Sequence, residues 1–319
     1  MLILALLLTA CGSGGESTEV DADGALSIVA TTSILADVAG QVAGDSARVT
    51  TLMEPGADPH NFEASAQQLA ALQEADLIVA NGANLEEHLT APLGEVERAG
   101  VPVFSATDHI ATLTFTGDGQ QEAAHAGEDD QHAGDGHDDE AGGVDPHFWM
   151  DPIRMADVSR ALGEQIGELS GDPDAITGHA QEYAARLEEL DADINETLAP
   201  IPDDARTLVT NHEAFNYFAD RYGFTIVGTV IPSLSTGAEP SARDLEELVH
   251  TIEQHQVRAV FTEATAPEQL TQALAAEVGT DVQIVELHSE TLGEEGSGVS
   301  TYADMLAANG ELVAQALGG

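Results

Sequence analysis

Short apolar runs alternate with segments of helical spacing along most of this chain. Residues 26–31, 48–53, 76–80 and 101–105 are β-branched or aliphatic runs ending in turn-forming residues, and each predicts a strand. The same pattern returns at 207–210, 225–230, 259–262 and 282–287. Between the runs, residues 65–74 have helical spacing, and Ala242–His255 places Leu245, Leu248, Val249 and Ile252 on one face. Strands alternating with helices predict parallel sheets built from βαβ units. The expected fold is α/β, in two lobes, each with a mainly parallel sheet flanked by helices.

The stretch between the two series reads differently. Pro173 suits the first turn of a helix with Asp172 as its cap, and no further proline interrupts before Leu198. A helix of about 26 residues would be roughly 40 Å long. One long rigid helix is therefore expected to join the lobes. The expected organisation is a leader and tether over 1–25, a first lobe over 26–151, a linking helical region over 152–200 and a second lobe over 201–319.

Residues 1–10 form an uninterrupted apolar run, well short of the ~20 residues a membrane-spanning helix needs. The run reads as an export signal. Leu8-Thr9-Ala10-Cys11 resembles the bacterial lipobox, in which the cysteine is lipidated, and a Gly/Ser-rich tether follows. The expected location is outside the cytoplasmic membrane, at its outer face, held by a lipid on Cys11. Because Cys11 is the single cysteine, no intramolecular disulfide is available, and any metal site must use His, Asp or Glu.

Composition narrows the function classes. Nine basic residues against 57 acidic ones give a net charge of −48, which repels phosphate backbones and excludes a nucleic-acid partner. All nine are arginine, so lysine chemistry is excluded as well. Only eight of the acids lie between Glu122 and Glu140, so the charge is spread along the chain as a solvated acidic surface. No Walker-type phosphate loop occurs, so any ATP hydrolysis belongs to another chain.

The 12 histidines supply the candidate chemistry. His125, His132 and His137 lie in the Gly- and acid-rich segment 121–140, which cannot build a core and is expected to be a disordered loop capturing metal weakly. His88, His109, His179, His250 and His255 read as ordinary surface or packed residues. His60 follows a predicted strand, His212 follows the strand at 207–210 and opens a helix expected from Glu213, and Glu290 follows the strand at 282–287. Ligands of open parallel sheets bind beyond the carboxyl ends of strands. His147 falls where the first lobe meets the helical middle. Three imidazoles and a carboxylate suit Zn²⁺, whereas Ca²⁺ and Mg²⁺ want cages of oxygen. The four residues are far apart in sequence, so spacing alone does not establish that they converge. His288 is expected to point away from them.

The chain resembles the zinc/manganese solute-binding proteins of bacterial ABC transporters (cluster A-I), the ZnuA-like zinc branch in particular. The resemblance is carried by Ile28-Val29-Ala30-Thr31-Thr32-Ser33, Asp58-Pro59-His60, Asp145-Pro146-His147-Phe148-Trp149-Met150-Asp151-Pro152, Asn211-His212-Glu213-Ala214-Phe215 and Ser289-Glu290-Thr291-Leu292. It implies a metal held between the lobes by His60, His147, His212 and Glu290, although members commonly carry Asp at the last position. Histidine at the third position, where manganese-type members tend to carry Glu, implies Zn²⁺, with Mn²⁺ the alternative. It further implies a monomeric binding protein, not an enzyme, that serves a membrane permease driven by a separate ATPase. Two other readings stay open at this point. One is an exported zinc hydrolase with Glu290 as base; the other is a surface adhesin or metal buffer.

Overall fold

The computed structural model describes residues 25–115, 122–123, 143–237, 241–265, 277 and 282–318. Cys11 and the tether, and His125, His132 and His137, lie outside the described residues. Among those described, no helix is long and apolar enough to cross a membrane.

The first sheet contains β1 (Leu26–Ala30), β2 (Ala47–Thr51), β3 (Leu77–Ala80) and β4 (Val103–Ser105), all parallel, in the order β2-β1-β3-β4. A short antiparallel pair, β5 (Leu113–Thr114) with β6 (Glu122–Ala123), follows. The second sheet contains β7 (Thr207–Thr210), β8 (Thr225–Thr229), β9 (Ala259–Glu263) and β10 (Gln283–Leu287), also all parallel, in the order β10-β9-β7-β8. Read from its other edge, that order repeats the winding of the first sheet. Each sheet therefore has its first and third strands at its centre, and the chain reverses direction across the sheet there.

Helices α1 (Ser33–Ala43), α2 (Ala66–Glu74) and α3 (Thr90–Arg98) accompany the first sheet. Helices α6 (Asn216–Tyr222), α7 (Ala242–His255) and α8 (Tyr302–Leu317) accompany the second. Local chemistry sets their starts. Ser65 and Gln68 form a reciprocal capping box on α2, and Ser241 with Asp244 does the same on α7. The helix expected from Glu213 begins three residues later, at Asn216. The Glu213 amide donates to the carbonyl of Ser233 instead, which holds 213–215 in a loop beside the strand end.

The linking region contains two helices, α4 (Pro152–Leu169) and α5 (Pro173–Leu198), and α5 has the expected 26 residues and the Asp172 cap. They pack side by side, with Gly163 of α4 facing Ala180 of α5. Helix α5 also touches α1 of the first lobe and α8 of the second. One apolar core consequently runs through both lobes, from Ile28 and Val79 through Leu162 and Leu187 to Leu208, Phe261 and Met305. The outer sheet faces have their own clusters around Val29, Leu72 and Ile78, and around Val209, Leu248 and Val260. Adjacent strand residues such as Ile28 and Val29 serve opposite faces, as the two-residue period of a strand requires. A shared core of this kind resists independent swinging of the lobes.

Candidate metal centre

Two copies of one local device present the first two imidazoles. In Asp58-Pro59-His60 the carboxylate oxygen Oδ1 of Asp58 accepts the backbone N–H of His60 at 2.9 Å. In Asp145-Pro146-His147 the same atom of Asp145 accepts the N–H of His147 at 2.9 Å. Proline between them has no N–H and a fixed φ, so the aspartate side chain closes a tight turn onto the residue beyond. The two copies then diverge. Asp145 Oδ1 also lies 2.7 Å from Nδ1 of His147, while Asp58 Oδ2 accepts from the Thr236 hydroxyl at 2.6 Å and from Asn61 Nδ2 at 3.0 Å.

His212 lies just beyond the end of β7, and its Nδ1 stands 2.7 Å from Oε1 of Glu263, the last residue of β9. Glu290 comes three residues past β10. His60, His147, His212 and Glu290 are all buried, and one donor atom from each lies within 4.8 Å of the others. Nε2 of His147 is 3.3 Å from Nε2 of His60 and 3.2 Å from Nε2 of His212. The Glu290 oxygens lie 3.8 Å from His60, 3.8 Å from His147 and 3.5 Å from His212. The structure thus brings together four residues spread over 231 positions of sequence, 60 to 290.

Tautomers follow from the carboxylates. An ionised carboxylate only accepts, so Asp145 and Glu263 fix the proton on Nδ1 of His147 and of His212. Nε2 of each ring then points into the cluster, beside the Glu290 carboxyl. Burial and the two neighbouring imidazoles lower the His60 pKa to about 2, so that ring is neutral. Burial also lowers His147, against the pull of Asp145. Burial opposes charge on His212 too, but the Glu263 carboxylate, with Glu290 and Asp58 behind it, raises its pKa to about 9. Burial pushes the Glu290 carboxyl well above its ordinary range.

A cavity of about 370 Å³ borders the cluster, lined by His60, Ala83, Asn84, Glu87, Pro146 and Ser235 among others. Other sequence candidates lie elsewhere. His109 stacks on Phe104 with ring centroids 4.4 Å apart. His179 covers Gly44, where a Cβ would stand 2.8 Å from its ring. His288 is held by its backbone, its N–H donating to Asn309 Oδ1 at 3.0 Å, and is outside the cluster.

Sequence reasoning missed the residues that orient the ligand imidazoles. Asp145 was visible inside a motif that occurs twice. Glu263 had only a weak signal, a carboxylate closing a strand whose every residue is buried. Asn81, whose Nδ2 donates to the Pro146 carbonyl at 3.0 Å, had none.

The family model for the periplasmic zinc-uptake complex component A, ZnuA, matches residues 28–316. The chain belongs to this family. It is similar to the manganese-binding lipoprotein MntA of Bacillus subtilis, 32% identical over 325 residues, covering 99% of this chain and 97% of that one. It is similar also to the zinc-binding protein TroA of Treponema pallidum, 31% identical over 323 residues and covering 99% of this chain and 96% of that one. The solved structure of TroA superposes with a TM-score of 0.78 at 30% identity, covering 92% of this chain and 99% of that one. The ZnuA-type chain described here is accordingly a metal-binding, substrate-binding protein of an ABC transporter, and not an enzyme.

Proposed function

We propose that this chain binds Zn²⁺ between its lobes through His60, His147, His212 and Glu290 and delivers it to an ABC permease powered by a separate ATPase. The observation carrying this reading is the convergence of three buried imidazole nitrogens and one carboxylate that has no hydrogen-bond donor among the described residues. Zinc–nitrogen bonds of about 2.0–2.1 Å put tetrahedral ligands about 3.3–3.4 Å apart. The imidazole spacings of 3.2 and 3.3 Å match that figure, and the carboxylate at 3.5–3.8 Å closes to it with a small shift. Four protein donors leave no open position for an activated water, which suits storage and delivery.

The remaining parts of the reading come from sequence. The protein is a monomer exported past the cytoplasmic membrane and anchored through lipid on Cys11, and segment 121–140 collects metal weakly through His125, His132 and His137. Mn²⁺ is the second reading, favoured by the name of the MntA relative and by both Glu290 oxygens facing the imidazoles, which allows a fifth donor. Competition titration of metal-stripped protein with Zn²⁺ and Mn²⁺ separates the two. Intact protein, His147→Ala and a variant lacking 121–140 are compared. One tight zinc site that is lost in His147→Ala and kept without the loop is expected. Zinc binding lost only with the loop would make the protein a surface buffer, and a preference for Mn²⁺ would reverse the choice of metal.

A further inference from the structure

Glu290 differs from the three imidazoles in how it is held. Both of its oxygens are buried without a hydrogen-bond partner among the described residues, so no hydrogen bond of the side chain fixes where the carboxylate stands. Its position comes through the backbone on either side. Before it, the indole N–H of Trp149 donates to the Ser289 carbonyl at 2.6 Å. After it, the Leu292 amide donates to Ser33 Oγ at 3.0 Å, and Thr291 Oγ1 accepts the Gly56 amide at 2.9 Å. Residues 289–292 extend from β10 of the second sheet, whereas Trp149, Ser33 and Gly56 all belong with the first sheet and its helices. The peptide carrying the fourth donor is thus bonded on both flanks to the opposite lobe.

Trp149 is itself fixed and itself touches a ligand. The Tyr302 hydroxyl donates to its carbonyl at 2.6 Å. Its ring meets the His147 ring edge-on, with centroids 5.3 Å apart, and it is 2% exposed. One side chain therefore packs on a ligand imidazole and holds the peptide beside the ligand carboxylate.

We propose that Trp149 is a positioning residue of the metal site, with Ser33 as its counterpart, and that together they clamp the 289–292 peptide so that Glu290 completes the coordination set. The proposal rests on the reading of Glu290 as a ligand. Trp149 and Leu292 are themselves part of the apolar core that the lobes share, so the bonds reach the peptide from packed positions. Without them the carboxylate is no longer held against the imidazoles, and water takes its place on the metal. Whether the fourth donor is carboxylate or water then depends on the Trp149 N–H.

Co²⁺ serves as the probe, because its d–d absorption is intense in four-coordinate tetrahedral sites and its position follows the identity of the donors. Trp149→Phe keeps ring packing against His147 and removes the donor; Ser33→Ala removes the second bond and leaves Trp149 in place. Each variant is loaded with Co²⁺, and Zn²⁺ affinity is measured by competition. Glu290→Ala and Trp149→Phe are each expected to shift the band and to lower affinity by ~10–100-fold, the usual effect of losing a residue that orients a ligand. Ser33→Ala shifts the band in the same direction. In the Glu290→Ala background, Trp149→Phe adds nothing further. An unchanged spectrum and affinity in both Trp149→Phe and Ser33→Ala, with Glu290→Ala altered, overturns the clamp and leaves the ligand reading standing. A full additional loss from Trp149→Phe in the Glu290→Ala background also overturns it, since the tryptophan would then act through His147. No change in Glu290→Ala removes the ligand reading, and the clamp with it.

Discussion

Glu263 and His212 form a buried pair across two neighbouring strands, Oε1 of one lying 2.7 Å from Nδ1 of the other. Glu263 ends β9 and His212 comes two residues after β7, and these strands are adjacent at the centre of the second sheet, so sheet geometry brings the pair together. The carboxylate decides which imidazole nitrogen carries the proton and makes the other a stronger donor. Glu263→Gln removes the charge and keeps the shape. It is expected to weaken Zn²⁺ binding by ~10–100-fold, the range found for such outer partners. Asp145→Asn is expected to do the same through His147. Zinc affinities within twofold of the parent protein, in a chelator competition, would show that neither carboxylate tunes its imidazole.

Proton release should accompany metal uptake, and its sign follows from the same pair. Without metal, Glu263, Glu290 and Asp58 outweigh burial and keep His212 protonated up to about pH 9. His60, lowered to about 2 by burial and its neighbours, has no proton to give at neutral pH. A metal needs the lone pair on His212 and displaces that proton. Apparent affinity is therefore expected to rise at least tenfold per pH unit up to about 9, the Glu290 carboxyl, pushed up by burial, adding to the slope wherever it still holds its proton. Calorimetric titration at pH 7 in two buffers of different ionisation enthalpy counts the protons directly. A count of one or more is expected, His212 supplying one and Glu290 any further proton, and a count of zero would mean that His212 is already neutral before metal binds.

Trp149 offers a direct optical readout, because it is the single tryptophan of the chain and its ring centroid is 5.3 Å from that of His147. A cation on Nε2 of His147 brings positive charge to the ring against which the indole packs, which changes the indole's emission. Zn²⁺ addition is expected to change the emission with a one-to-one end point, and the change should vanish in His147→Ala. A signal that survives in His147→Ala would place the metal elsewhere.

The strands and the long helix were legible because each rests on local chemistry. A run such as Leu77–Ala80, buried along its whole length, reads as a central strand without any knowledge of its neighbours. Asp172 and Pro173 likewise mark the start of α5 by themselves. His60, His212 and Glu290 were individually visible as residues following strands, and His147 as one where the first lobe meets the helical middle, but their convergence was visible only through the family resemblance. Spacing in sequence carries no information about two sheets meeting across a cleft. Glu263, Asn81 and the hydrogen bonds of Ser33 act wholly through partners at long range, so no local pattern announces them. The pairing of α4 with α5 was hidden for the same reason: a glycine inside a helix has no signature until the helix that fills its space is known.

Gly163 makes that last point testable. It lies inside α4, where a methyl group would stand 2.4 Å from Cβ of Ala180 on α5. Helix propensity alone favours alanine over glycine there by about 1 kcal/mol. Two carbons in comfortable contact need about 3.5–4.0 Å, so the helices must separate by more than an ångström, and overpacking of that kind costs ~1–3 kcal/mol. Packing should win, because α5 is held from its other sides by α1 and α8 and has nowhere to go. Gly163→Ala is therefore expected to lower the midpoint of urea unfolding, and Gly163→Leu to lower it further. Ala180→Gly alone should cost about 1 kcal/mol of helix propensity. The exchange of both residues moves one methyl group across the interface and restores both its volume and the helix propensities, so the double variant should regain most of the parental stability. Gly163→Ala with a midpoint above that of the parent would mean that the two helices can part without loss, and that the shared core is looser than the geometry shows.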